Sequence, residues 1–244
     1  MNVLIVYAHP EPTSFTAAMK DAAADALREA GHTVDISDLY AEQFDPVAGR
    51  HDFLSVANAA RFHYQTEQDH AAKTNSFAPD LAEEQRRLLN ADLMLFVFPV
   101  WWGGLPAILK GWFDRVFAYG IVYADGKRFD QGYFRGRRGL LCMTTGGTQE
   151  RYSATGVYGD IHIVLHSVQR GILEYIGLDV AEPFVAYAAP RVDDATRRGY
   201  LNALAARVVS LANDPDWQAR LADIKSNEKP MRDDMVAQAW TRSG

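Results

Sequence analysis

Phe96-Val97-Phe98-Pro99-Val100-Trp101-Trp102-Gly103-Gly104-Leu105-Pro106-Ala107-Ile108-Leu109-Lys110-Gly111-Trp112-Phe113-Asp114-Arg115 packs a buried strand, a stiff turn and a helix start into about twenty residues. An apolar run of strand type breaks into an aromatic and glycine turn, which feeds directly into a helix. Open α/β sheets bind ligands at such places, at the carboxyl ends of their strands. Two adjacent tryptophans at the tip are costly to leave in water unless a flat ligand or a partner subunit covers them. The stretch therefore points to a planar cofactor.

Before it, a helix over about 81–91 leads into the strand Leu93–Phe98. Val3–Tyr7 is a continuous apolar run, as expected of a strand buried on both faces. After the loop His9–Thr16, an alanine-rich helix is expected over 17–30, stopped by Gly31. An alternating strand follows over 33–39, and a β-loop-α-β opening of this length implies a right-handed crossover in a parallel sheet. Residues from about 46 to 80 read as a polar, irregular excursion carrying His51, His63 and His70, with recurring aromatics at Phe53, Phe62 and Tyr64. Beyond the tryptophan turn, helices are expected over about 106–117, 161–175 and 193–212. Strands are expected over 140–144 and 180–185. The predicted fold is α/β: a flavodoxin-like, doubly wound parallel sheet of about five strands with helices on both faces. Residues 1–212 form the expected domain, and 213–244 an extended tail that frays or packs on the same domain or a dimer partner.

Composition narrows the function. A net charge of −6 without a basic run argues against nucleic-acid binding. The single cysteine, Cys142, lies in an apolar run and reads as a core thiol, which leaves no internal disulfide. The seven histidines show no metalloprotease spacing, and no metal site is expected. No apolar stretch is long enough to insert in a membrane, and the start lacks a signal-peptide pattern, so the expected location is cytoplasmic.

Three loops carry chemistry. The loop after the first strand offers backbone N–H groups and a helix N-terminus for an anion, with hydroxyls from Thr13, Ser14 and Thr16 and a donor on His9. Capping of the helix by Ser14 or Thr16 is compatible with that role. The loop has neither Gly-x-Gly-x-x-Gly nor Gly-Lys-Ser/Thr; a hydroxyl-rich loop without lysine suits the phosphates of a flavin. Trp101-Trp102-Gly103-Gly104 and Thr144-Thr145-Gly146-Gly147 bring flat walls and close-approaching peptide groups to the same sheet edge, as an isoalloxazine ring requires.

Phe98-Pro99-x-x-Trp102-x-Gly104-x-Pro106-Ala107-Ile108-Leu109-Lys110-Gly111-Trp112-Phe113 resembles the hallmark of the flavodoxin-fold NAD(P)H:quinone oxidoreductases, the DT-diaphorase-like family. Thr13-Ser14-Phe15, Ser37-Asp38-Leu39-Tyr40, Phe134-Arg135, Thr144–Gly147, Tyr152-Ser153, Gly159-Asp160 and Gly171-Ile172-Leu173 extend the likeness over about residues 1–210. The resemblance implies a homodimer with FAD, rather than FMN, at interfacial sites. It also implies two-electron, ping-pong hydride transfer from NAD(P)H to a quinone-like aromatic acceptor. Carried over by position, the flavin contacts would be His9, Thr13, Phe15, Thr16, Pro99, Trp102, Gly103, Thr144, Thr145, Gly146, Gly147, Tyr152 and Arg197, with His63 a weaker addition. Trp102, Tyr123, Asp125, Gly146 and Gly147 would line the substrate pocket.

The chain departs from the family where catalytic relatives carry a histidine before Gly-Asp; here that residue is Tyr158. The expected catalytic set becomes Tyr152, Tyr158 and Gly146. A phenol of ordinary pKa ~10 is neutral at pH 7 and, unlike a protonated imidazole, supplies no positive charge, so weaker charge stabilisation is expected unless another group helps. His162 and His166 read as structural members of a helix. Asp125 and Gly103 replace aromatic pocket residues, implying a roomier and more acidic pocket. Alternative roles are reduction of azo or nitroaromatic compounds at the same flavin, or regulation of a potassium-efflux transporter.

Overall fold

Three strands are buried at almost every position, and such strands need a layer of helices on each side. The computed structural model describes residues 1–227. Its strands are β1 (Asn2–Tyr7), β2 (Thr33–Asp38), β3 (Leu93–Pro99), β4 (Arg138–Thr144), β5 (Asp179–Val180) and β6 (Phe184–Ala186). The sheet is parallel, in the order β2-β1-β3-β4-β5, with β6 also pairing with β4. The flavodoxin-like sheet expected from the sequence is thus present. Its fifth position, expected as one strand over 180–185, is split in two. Pro183 lies in the gap and has no N–H to donate to the ladder.

The helices are α1 (Phe15–Glu29), α2 (Tyr64–Thr74), α3 (Pro79–Asn90), α4 (Ala107–Val116), α5 (Ile161–Val168), α6 (Asp194–Ala212) and α7 (Pro215–Asn227). Alternation along the strands feeds two cores. Val3, Ile5, Leu93, Leu95, Val97, Leu140 and Cys142 pack with Met19 and Leu27 of α1, Leu204 and Val208 of α6 and Trp217 of α7. Leu4, Val6, Met94, Phe96, Phe98, Leu141 and Met143 pack with Leu81 and Leu88 of α3, Leu109 and Trp112 of α4 and Leu165 of α5.

Three expectations need correction. The excursion over 46–80 is not irregular throughout, since α2 and the start of α3 lie within it. Its inner face carries Glu67 and Gln68, both buried, where a hydrophobic stripe would have announced a helix. The helix over 161–175 holds α-geometry only to Val168, then widens to a π-turn at Gln169–Leu173 and tightens to a 3-10 turn at Glu174–Ile176. The tail is not extended over 215–227. Instead α7 buries Trp217, whose indole N–H donates to the Gly136 carbonyl at 2.7 Å. Residues 228–244 of the expected tail lie outside the described residues.

Two buried polar links fix the helix that follows the tryptophan turn. The Glu84 carboxylate accepts from the Ser37 hydroxyl at 2.7 Å and the Trp112 indole at 2.5 Å, tying β2, α3 and α4 together. Arg115 donates to Asp52 at 2.6 Å with both side chains buried, and Tyr64 donates to the same carboxylate at 2.5 Å. The excursion is thereby clamped onto α4. Gly111 permits the closest approach, because a Cβ there would lie 2.2 Å from the Pro46 carbonyl oxygen.

Candidate active site

β1, β3, β4 and β6 all end on one edge, and the loops leaving them interlock. The Val100 N–H donates to Thr144 at 2.9 Å, and the Thr145 N–H to Ala186 at 3.1 Å. Thr16 and Thr144 share a buried hydroxyl pair at 3.0 Å. Thr16 therefore locks α1 to β4 rather than offering its hydroxyl to solvent. Thr145 closes its own turn by donating to the Gly147 carbonyl at 2.8 Å, and both threonines are buried.

The tryptophan turn is a two-residue hairpin. Trp101 and Gly104 exchange backbone bonds at 3.1 and 3.0 Å, with Trp102 at φ 51° and Gly103 at φ 70°. Positive φ at both central residues is the primed geometry, ordinary for glycine and costly, at about 1–2 kcal/mol, for a side chain such as tryptophan. The result is a Trp102 ring wholly exposed at the sheet edge, with nothing crowding Gly103 or Gly104. Pro99 is buried at the end of β3, and the His9 ring lies 6.1 Å from that of Trp101.

At the first loop, Ser14 caps α1 by accepting from the Ala17 N–H at 3.1 Å. Thr13 sends both its N–H, at 2.9 Å, and its hydroxyl, at 2.6 Å, to the carboxylate of Glu11. Those bonds hold the Glu11 carboxyl below its usual range. Thr13 thus already presents two converging donors to an anionic oxygen. Phe15 packs against Tyr200, with ring centres 6.4 Å apart. Arg197 donates to the Ala189 carbonyl at 3.1 Å and to Asp194 at 2.7 Å, bracing the loop after β6.

On the far side of β4, the Tyr152 and Tyr158 rings lie 5.0 Å apart against Gly147. A Cβ on Gly147 would come within 2.9 Å of one ring and 2.8 Å of the other. Burial raises the pKa of Tyr152, so its phenol stays protonated and can donate across the neutral range. Gly146 is exposed, and its carbonyl accepts from Arg191.

Not every expected residue joins this group. Tyr123 makes ring contacts with Tyr119 and Tyr175, and Asp125 is exposed and paired with Arg128 at 3.2 Å. His63 caps α2 through Thr66. His162 and His166, expected as structural, are exposed on α5, where His162 meets Glu182 at 3.1 Å. Arg151, Arg191 and Glu11 escaped the sequence reading. Among the described residues no cluster of three or more metal-ligating side chains forms, and no helix is long and apolar enough to cross a membrane.

A parallel 2-1-3-4-5 sheet with a bare aromatic hairpin, a glycine turn and a hydroxyl loop at one edge defines a flavodoxin-like protein. The sequence profile described as "Flavodoxin-like fold" matches residues 1–208. The guinea pig (Cavia porcellus) NAD(P)H dehydrogenase [quinone] 1 is 43% identical over 187 residues, 76% of this chain and 68% of that protein. The orangutan (Pongo abelii) ribosyldihydronicotinamide dehydrogenase [quinone] is 41% identical over 211 residues, 86% of this chain and 91% of the relative. A crystal structure of a putative quinone reductase from Klebsiella pneumoniae superposes with a TM-score of 0.83 at 36% identity, covering 87% of this chain and 85% of the other. The chain belongs to the flavodoxin-fold NAD(P)H:quinone oxidoreductase family.

Proposed function

We propose that this protein is a flavin-dependent reductase that moves hydride from NAD(P)H to a quinone in ping-pong order, working as a homodimer in the cytoplasm with FAD. One observation carries the reading: Trp102 stands wholly exposed, in a costly backbone conformation, beside glycine and hydroxyl loops on the ligand-binding edge of the sheet.

The residues present fit a flavin. Trp102 offers a flat wall, Gly146 and Gly147 offer close-approaching peptide groups, and Thr13 offers converging donors at the N-terminus of α1, where a phosphate would displace Glu11. A bound flavin would supply the hydride relay. The remaining work falls to the chain. His9, Phe15, Thr16, Pro99, Gly103, Thr144, Thr145 and Arg197 build or brace the walls. Tyr152 keeps its proton and donates to the ring or to the acceptor. Tyr123 and Asp125, on a loop apart from these contacts, would line the pocket from a second subunit. Space around Gly103 favours broad acceptors, azo and nitroaromatic compounds included.

Anaerobic titration of the FAD-loaded protein with NADH and NADPH tests the reading. Bleaching of the visible band in one step, with recovery on adding a benzoquinone, is the expected result. A band that neither nucleotide bleaches would refute it. Light scattering should give twice the chain mass.

A further inference from the structure

Arg151 lies on the turn that carries both site phenols. Its carbonyl accepts the Tyr158 N–H at 2.9 Å, its Nη1 donates to the Tyr158 hydroxyl at 3.3 Å, and its guanidinium lies 5.9 Å from that ring's centre. Tyr158 in turn stacks at a tilt on Tyr152, and both rings rest on Gly147. The order from the glycine turn outward is peptide, two phenols, guanidinium. A second guanidinium, that of Arg191 on the loop after β6, donates to the Gly146 carbonyl instead.

A phenol oxygen has lone pairs and one O–H. Engaging a lone pair with a guanidinium leaves the O–H free to point elsewhere and strengthens it as a donor. Arginine keeps its charge throughout the working range of pH. Hydride transfer from NAD(P)H moves two electrons and one proton and releases NAD(P)⁺, so a flavin held here would carry one added negative charge until the quinone, with a proton from solvent, took the hydride and became its quinol. A fixed cation behind a phenol donor favours the charged stage of that cycle.

Resting on the functional reading above, we propose that Arg151 is a positioning residue acting through Tyr158: its guanidinium holds the phenol oxygen and makes the Tyr158 hydroxyl a charge-assisted donor toward the hydride-carrying ring. The pair would supply the help that a tyrosine alone at this position lacks.

The two-electron midpoint potential of FAD bound to the full chain tests this, measured for wild type, Arg151→Gln, Tyr158→Phe and the double variant. Arg151→Gln should disfavour the reduced form about tenfold, a fall of about 30 mV. Tyr158→Phe should lower the potential comparably, and the double variant should fall no further than either single change. Arg151→Lys, which keeps the charge, should recover at least half of the fall. Circular dichroism should show all variants folded. A potential indifferent to Arg151→Gln would overturn the proposal, as would an equal further fall in the Tyr158→Phe background. Wild-type protein that takes up no flavin, or holds one that NAD(P)H does not reduce, would instead overturn the functional reading and this proposal with it.

Discussion

Trp102 and Trp112 belong to one short stretch of chain and meet opposite fates. Trp112 is wholly buried, packs edge-on against Phe113 and Phe117 and donates its indole N–H to buried Glu84. Trp102 is wholly exposed, on a backbone that tryptophan adopts at a cost. Stability explains the first placement and cannot explain the second. Where a large apolar ring is held in water by a strained turn, its benefit comes from what it binds.

The contrast can be broken most directly at the buried end. Trp112→Ala should cost about 3–5 kcal/mol, read from the urea midpoint, because it opens a large cavity and leaves Glu84 short of a donor. A loss below about 1 kcal/mol would mean that α4 is held by Arg115 and Asp52 rather than by its tryptophan. At the exposed end, Trp102→Ala should leave stability within about 0.5 kcal/mol. It should weaken FAD binding about tenfold, or about 1.4 kcal/mol, by fluorescence titration. Undiminished affinity would remove Trp102 from the site.

The smallest effect concerns pH. Burial raises the pKa of Glu84 above 4.5, so the folded state binds more protons than the unfolded state between 4.5 and the folded value. Stability should therefore fall as pH rises through that window, and Glu84→Gln should flatten this part of the profile. A Glu84→Gln profile that falls as steeply as the wild type's, or rises less steeply, would show that the Arg87 contact offsets or outweighs burial.

The sequence made the sheet legible because β1, β3 and β4 are apolar on both faces, a pattern no surface element shares. It concealed α2, whose inward positions are polar and are satisfied by distant groups: Glu67 by the N–H groups of Ala57 and Asn58, Gln68 by that of Tyr119. For α7 a signal existed in Trp217 and Leu221, one helical turn apart and both buried. The tryptophan hairpin was readable as a turn, but its left-handed tryptophan was not, since nothing local favours that conformation. Arg151 was invisible as a partner of Tyr158. Their contact depends on a turn in which Tyr158 bonds back to the Arg151 carbonyl, and the six intervening positions carry no periodic trace of it.

The interruption at Pro183 has a consequence for assembly. A long, regular outer strand invites a neighbouring chain to add its own strand, the route to runaway aggregation. Here one rim of the sheet is cut into pieces of two and three residues, and the other bears Asp35 and Asp38. Both rims are poor templates for continuing the sheet into another molecule. The proposed homodimer would therefore have to form through surfaces other than the sheet rims, the loops around Trp102 among them.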